Sequence, residues 1–198
     1  MIEYIKGEIT ELTPAMAVVE CNGIGYGLNI SLNTYSAFNG KKEGKLYVYE
    51  VIREDAHLLY GFADKEERNL FLMLISVSGV GPNFARTILS SMSPAELVNA
   101  IATKNEAMLT AVKGIGAKTA QRILVDLKNK VKLSDEKTAD SNMPSSSLNT
   151  GVIAEEAVAA LVMLGFQKAL SQKAVISILK ATPTLTVEQV IKAALRML

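Results

Sequence analysis

The chain has 198 residues, of which 49% are apolar and 21% charged, and its formal net charge is +1. This composition supports a packed core and excludes a wholly disordered protein or a coiled coil. One cysteine, Cys21, and one histidine, His57, leave no intramolecular disulfide and no His/Cys cluster for a metal, and no apolar run approaches the roughly 20 residues that cross a bilayer. We therefore expect a cytoplasmic protein with no metal, no cofactor and no membrane partner.

The charge is unevenly distributed along the chain. Residues 1–62 carry a net charge of −3, residues 63–132 carry +4, residues 133–150 carry −2 and residues 151–198 carry +2. A basic middle segment is typical of a DNA-binding surface, although the total is close to neutral. We therefore predict three domains, at 1–62, 63–132 and 151–198, with a flexible linker at 133–150.

The first 62 residues have the pattern of β structure. Apolar and β-branched runs predict strands at 15–21, 25–31, 45–53 and 58–62, and Asn22-Gly23 favours a tight hairpin turn because both residues tolerate positive φ. About five short strands indicate a small barrel or sandwich. The last hairpin turns through REDAH from Arg53, so the carboxylates of Glu54 and Asp55 project near its tip.

Helical patterns begin after Phe62. Asp64 followed by Glu67 resembles a capping box and begins a predicted helix at 65–77. Ser93 and Glu96 form a second such pair, with Pro94 at the first helical position. The middle segment is therefore predicted to be helical.

This helical segment contains an internal repeat at an offset of 35 residues. LISVSGVGPNFARTIL from Leu74 is matched by LTAVKGIGAKTAQRIL from Leu109, with the apolar positions in the same places. A helix, then Gly-apolar-Gly, then a second helix is the pattern of a helix-hairpin-helix motif. One such pattern is more often only a helix cap and turn, but two copies in the most basic segment favour phosphate binding.

The chemistry of the repeat explains this preference. Glycines let the backbone approach a phosphate closely, and the N-terminus of the following helix presents unpaired N–H groups to an anion. Nearby side chains add to the grip. The predicted DNA-binding residues are Gly79, Gly81, Asn83, Arg86, Gly114, Gly116, Lys118, Thr119 and Arg122. Because these groups address the backbone, we expect binding that is independent of base sequence and sensitive to salt.

The same segment resembles a fragment of an ATP-binding phosphate loop. With Gly116 as the second glycine of that motif, positions 111 and 117 require Gly and Lys, but the chain has Ala111 and Ala117. We therefore expect no ATP hydrolysis by this chain.

The C-terminal part combines a polar stretch with three predicted helices. Residues 134–150 contain few apolar groups, which predicts a tether, and helices are predicted at 153–164, 169–181 and 187–197. Fewer than 50 residues form a marginal core, so a protein partner could cover an apolar surface. The candidates for that surface are Leu161, Leu164, Phe166 and Leu195; the alternative is that all four are core residues.

Taken together, the chain resembles the bacterial RuvA family, the Holliday-junction-binding subunits of the RuvAB branch-migration machine. The resemblance covers all three parts and rests on REDAHLLYGF from Arg53, SGVGPNFARTIL from Ser78, KGIGAKTAQRILVDLK from Lys113 and EAVAALVMLGF from Glu156. It implies an α+β fold with an N-terminal OB-fold β-barrel, a domain of two helix-hairpin-helix motifs, and a mobile C-terminal three-helix domain.

The resemblance also implies partners. They are four-way junction DNA, the hexameric ATPase RuvB and other copies of the chain in a homotetramer, with RuvC resolvase as a further candidate. The sequence does not decide whether one tetramer or two bind each junction. Glu54 and Asp55 then match the family's acidic pin, and Leu161, Leu164, Phe166 and Leu195 match its RuvB-contact positions. Asn83 and Ala117 depart from the lysines that family members often carry, so we expect fewer phosphate contacts.

Two other classes of protein fit these residues less well. A helix-hairpin-helix DNA glycosylase needs catalytic side chains beside a base pocket, but Asp126 is better placed as an i,i+4 partner of Lys130. We therefore predict no catalytic residue. A ubiquitin-associated-type adaptor, suggested by MLGF from Met163, would leave the basic repeat unexplained.

Overall fold

The computed structural model describes residues 1–135 and 147–198. They form two compact units, Met1–Lys137 and Thr138–Leu198. The first unit contains a β-barrel followed by helices, and the second contains three helices, so the α+β fold predicted from the sequence is confirmed.

Five strands close into a barrel in the order β1-β2-β3-β5-β4. Their bounds are β1 Tyr4–Thr13, β2 Met16–Cys21, β3 Ile24–Ile30, β4 Glu43–Ile52 and β5 His57–Phe62. Strands β3 and β5 are parallel, and the other neighbouring pairs are antiparallel. Asn22 and Gly23 have φ angles of 52° and 80°, which confirms the predicted tight turn between β2 and β3.

A helix that the sequence analysis did not predict, α1 (Leu32–Phe38), connects β3 to β4. Ser31 caps it by accepting a hydrogen bond from the Thr34 N–H. Asn33 in its first turn donates to the carbonyl oxygens of Leu89 and Met92, at 2.6 and 3.0 Å. The helix therefore fixes the barrel to a helix that lies more than fifty residues later in the chain.

Five helices complete the first unit: α2 (Lys65–Ile75), α3 (Pro82–Ser91), α4 (Pro94–Ala102), α5 (Glu106–Thr110) and α6 (Ala117–Asp135). Of these, α2 packs directly on strands β4 and β5 of the barrel. The buried rings of Tyr60 and Phe62 on β5 lie against Phe71 on α2, with ring centroids 5.2 and 4.9 Å apart. A shared core of this kind fixes the helices relative to β5.

One of the two predicted capping boxes in this unit is confirmed and the other is wrong. Ser93 and Glu96 bond reciprocally at the start of α4. Asp64 does accept from the Glu67 N–H at 2.8 Å, but the Glu67 side chain does not return to the cap. The Glu67 carboxylate is buried and instead accepts hydrogen bonds from the hydroxyls of Ser31 and Thr34. Burial raises its pKa above the ordinary value.

The second unit contains α7 (Ser147–Met163), α8 (Lys168–Ala181) and α9 (Val187–Ala194). Thr186 and Gln189 form the predicted capping box at the start of α9. Within the predicted linker, 133–150, residues 133–135 continue α6 and residues 147–150 begin α7. Its central part, residues 136–146, lies outside the described residues.

Candidate nucleic-acid interface

The internal repeat forms two helix-hairpin-helix motifs, which confirms the pattern read from the sequence. The first hairpin joins α2 to α3 through residues 78–81, and the second joins α5 to α6 through residues 113–116. The matched apolar positions are buried in both copies; they are Leu74, Val77, Val80, Ala85, Ile88 and Leu89 in the first and Leu109, Val112, Ile115, Ala120, Ile123 and Leu124 in the second. The sequence repeat therefore places equivalent apolar residues in the core of both motifs.

The two glycines of each hairpin have different roles. Gly79 and Gly114 have φ angles of +90° and +96°, a conformation that favours glycine over any residue with a Cβ. Gly81 has an ordinary φ of −85°, and a Cβ at Gly81 or Gly116 would meet nothing within 4 Å. The fold therefore needs glycine at the first position of each pair, whereas the second leaves open space above the backbone.

That open space lies at the N-terminus of a helix. Gly81 is the N-cap of α3 and makes no side-chain cap hydrogen bond. By contrast, side chains cap the other four helices of the first unit whose N-caps are described, namely Ser31, Asp64, Ser93 and Asn105. The first N–H groups of α3 are thus left without a side-chain acceptor, as expected where an external anion takes that place.

At the second hairpin the predicted side chains also surround an exposed helix start. Lys118 lies in the first turn of α6 and is exposed, and Thr119 beside it is half-buried. Lys113 is exposed at the hairpin itself and was not among the predicted residues. These cations surround exposed backbone, so the second hairpin offers a phosphate both N–H groups and positive charge.

The two hairpins also contact each other, which the sequence did not reveal. The guanidinium of Arg122 on α6 donates to the carbonyl oxygen of Ser78 in the first hairpin, at 2.9 Å. Reciprocally, a Cβ at Gly114 in the second hairpin would lie 3.3 Å from the ring of Phe84 on α3. The spacing between the hairpins is therefore set by side chains of the opposite motif.

Two predicted phosphate contacts of the first hairpin are bonded to the barrel. The Arg86 guanidinium donates to the carbonyl oxygen of Ala15 at 2.9 Å, and Asn83 Oδ1 accepts from the Tyr60 hydroxyl at 3.0 Å. Each of these partners lies far away in sequence, so local pattern could not have indicated them. The first hairpin consequently presents mainly backbone to a ligand, whereas the second presents backbone and Lys118.

The two acidic residues lie where the sequence predicted, at the turn between β4 and β5. Both Glu54 and Asp55 are exposed, and the Arg53 N–H donates to the Ala56 carbonyl oxygen at 2.8 Å to close the turn. Below the turn, Glu50 Oε1 lies 2.8 Å from His57 Nε2, and this hydrogen bond lowers the pKa of Glu50. Two carboxylates thus project from a hairpin that is braced across its strands.

The four predicted partner-binding residues of the second unit do not share one environment. Leu164 and Leu195 are 61% and 43% exposed, and Phe166 is half-buried against the core. Leu161 is fully buried in the core of this unit, so the structure does not place it on the exposed surface that was predicted. Met163, the last residue of α7, is 88% exposed and was not among the predicted contact residues.

Within 1–135 and 147–198, no group of three or more His, Cys, Asp or Glu side chains is arranged to hold a metal ion. In the same ranges, no helix combines the length and apolar character needed to span a bilayer.

Comparison with known proteins covers nearly the whole chain. Residues 1–61 match the family described as RuvA N terminal domain, residues 71–129 match the SAM-like helix-hairpin-helix tandem, and residues 152–198 match the RuvA C-terminal domain. Proteins of Parabacteroides distasonis, Bacteroides fragilis and Porphyromonas gingivalis are 72%, 61% and 56% identical, each over 100% of both chains. All three are named Holliday junction branch migration complex subunit RuvA.

Proposed function

Because the chain belongs to the RuvA family, we propose that it is the DNA-binding subunit of a branch-migration complex and binds four-way junctions in recombination and repair. The observation that carries the proposal is the pair of helix-hairpin-helix motifs, in which exposed glycines adjoin helix N-termini. This arrangement grips phosphates and does not address base edges. Binding is therefore independent of sequence and decreases as salt concentration rises.

The acidic turn supplies the preference for a junction. In a homotetramer, four copies of Glu54 and Asp55 would converge where the four DNA strands cross. Carboxylates at that point repel phosphates that come too close, which guides strands apart and disfavours continuous duplex. The hydrogen bond between Glu50 and His57 holds the turn in position beneath these charges.

The second unit recruits the motor of the complex, the RuvB ATPase. Leu164, Phe166 and Leu195 offer apolar area on a three-helix domain, and Leu161 lies in the core of that domain. We propose that the chain itself is not an enzyme and works in the cytoplasm. Ala111 and Ala117 replace residues that a phosphate loop requires, so we expect no ATP hydrolysis by this subunit. Force generation therefore belongs to the partner.

The experiment that tests this function compares a synthetic four-way junction with a linear duplex of the same arm sequences. We expect tighter binding to the junction, and the same affinity after the arm sequences are permuted. Equal affinity for junction and duplex at several salt concentrations would reject the proposal.

The partner is tested separately by deleting residues 151–198. We expect junction binding to persist and stimulation of the RuvB ATPase to be lost. A truncated protein that still stimulates branch migration fully would show that the motor docks elsewhere.

A further inference from the structure

A hydrogen bond links the barrel strand β5 to the first DNA-facing hairpin. The Tyr60 hydroxyl donates to Asn83 Oδ1 at 3.0 Å, and Asn83 is the second residue of α3, directly after the glycine loop. The Tyr60 ring is 2% exposed and its centroid lies 5.2 Å from that of Phe71. Because the core fixes this ring, the hydroxyl presents a fixed point to which the hairpin is attached.

The rest of α3 is held against the barrel in the same way. In the middle of the helix, Arg86 donates to the Ala15 carbonyl oxygen at 2.9 Å. In its last turn, Ser90 Oγ accepts from the Leu32 N–H at 3.1 Å. Near its end, Asn33 donates to the Leu89 carbonyl oxygen at 2.6 Å. The Tyr60 bond is the anchor at the DNA-facing end of the helix.

Strand β5 also begins directly after the acidic turn, since it runs His57–Phe62 and the carboxylates precede it at Glu54 and Asp55. Tyr60 is therefore connected to the acidic turn through the backbone of β5 and to the first hairpin through the hydrogen bond of its hydroxyl. Burial raises the pKa of Tyr60 above its ordinary value of 10.0, so the hydroxyl remains a donor at the pH values at which DNA binding is measured.

We propose that Asn83 is a positioning residue and not a phosphate contact: by accepting the hydrogen bond from Tyr60, it fixes the first hairpin relative to the acidic turn, and this fixed spacing contributes to the preference for a four-way junction over duplex. The inference rests on the proposed function. A duplex bound by the hairpins alone does not require that spacing, whereas a junction must satisfy the hairpins and the acidic turn together.

The test is a double-mutant cycle on Tyr60→Phe and Asn83→Leu, with the junction-to-duplex affinity ratio as the readout. Each single variant should lower the ratio by about two- to tenfold, the range of one hydrogen bond. The double variant should lower it no further than the larger single effect, because both changes remove the same bond. Tyr49→Phe, which alters the other tyrosine packed on Phe71, is the matched control and should keep the ratio.

Asn83→Lys separates positioning from phosphate binding. The added cation should tighten duplex binding and steepen the dependence of log K on log salt by about 0.9 per subunit, while the junction-to-duplex ratio falls. If Asn83 instead acts as a phosphate contact, Tyr60→Phe will leave the ratio unchanged and the effects of Tyr60→Phe and Asn83→Leu will add. Either result overturns the proposal.

Amide hydrogen exchange measured without DNA tests the hydrogen bond between Tyr60 and Asn83 even if the proposed function is wrong. In the full chain, Tyr60→Phe should speed amide hydrogen exchange at Val80 and Ala85, whose N–H groups donate to the carbonyl oxygens of Val77 and Gly81. Helix α8 in the second unit should be unchanged and serves as the internal reference. Unchanged exchange at Val80 and Ala85 would show that the bond does not hold the hairpin. A wild-type protein that does not prefer junctions would reject the proposed function, whereas this exchange result judges the anchor independently.

Discussion

Gly81 and Gly116 separate the requirements of folding from those of DNA binding. We expect the Gly81→Ala, Gly116→Ala double variant to fold normally, because a Cβ at either position meets nothing within 4 Å. Alanine lowers the entropy of the unfolded chain, which stabilises by about 0.4 to 1 kcal/mol per site. It is also a poorer helix N-cap, which costs about 0.5 to 1 kcal/mol. The free energy of unfolding should therefore stay within about 1 kcal/mol of the wild type.

DNA binding should respond very differently to the same change. Each added methyl group occupies the space in which a phosphate would approach the backbone N–H groups of the helix. A hydrogen bond to a charged group contributes about 1.5 to 3 kcal/mol, so the loss of even one lowers affinity by about ten- to a hundredfold, and the double variant should lose at least that much. The assay is fluorescence anisotropy of a labelled four-way junction at fixed salt, run beside urea unfolding of the same protein.

The first glycines of the two pairs are the matched control. Gly79→Ala and Gly114→Ala place a Cβ on backbone with φ of +90° and +96°, so we expect each to destabilise the fold by more than about 1 kcal/mol. Wild-type affinity in the Gly81→Ala, Gly116→Ala protein would refute the reasoning, because it would show that no phosphate approaches these positions.

Three further predictions concern charged residues. Lys118→Ala should weaken binding to every junction sequence alike and flatten the slope of log K against log salt by about 0.7 to 0.9 per subunit; an unchanged slope would remove Lys118 from the interface. Replacing Glu54 by Gln and Asp55 by Asn should tighten duplex binding and reduce the junction-to-duplex affinity ratio, measured by gel shift. A wild-type ratio together with normal branch migration would show that these acids only form an exposed turn. Burial raises the pKa of Glu67 above 4.5, so the folded state binds more protons than the unfolded state between 4.5 and the raised pKa, and stability present below pH 4.5 is lost as pH rises through that interval. Urea unfolding should show this loss in the wild type and not in Glu67→Gln, and parallel stability curves would contradict it.

The sequence predicted the features that depend on residues close to one another in the chain. The turn at Asn22-Gly23, the capping box at Ser93 and the repeated hairpins all follow from residues within a few positions of one another. Helix α1 was missed because its seven residues, LNTYSAF, are too few to show a helical period.

Side-chain partners distant in sequence could not be predicted in this way. Glu67 has the spacing of a capping box from Asp64, but its carboxylate lies beside Ser31 and Thr34, which are 36 and 33 residues earlier. Arg122 has the position of a phosphate contact, but its guanidinium bonds to Ser78, 44 residues away. In both cases tertiary packing decided where a charged group went, and local spacing carried no information about it.

The closed barrel has a consequence for how copies of this chain can associate. Each of its five strands pairs with two neighbours, because β1 bonds to β2 and β4 while β5 bonds to β3 and β4. The barrel therefore has no open sheet edge onto which a strand of another molecule could add. If copies of this chain associate, they must therefore recognise each other through side chains and not by adding a strand to the sheet.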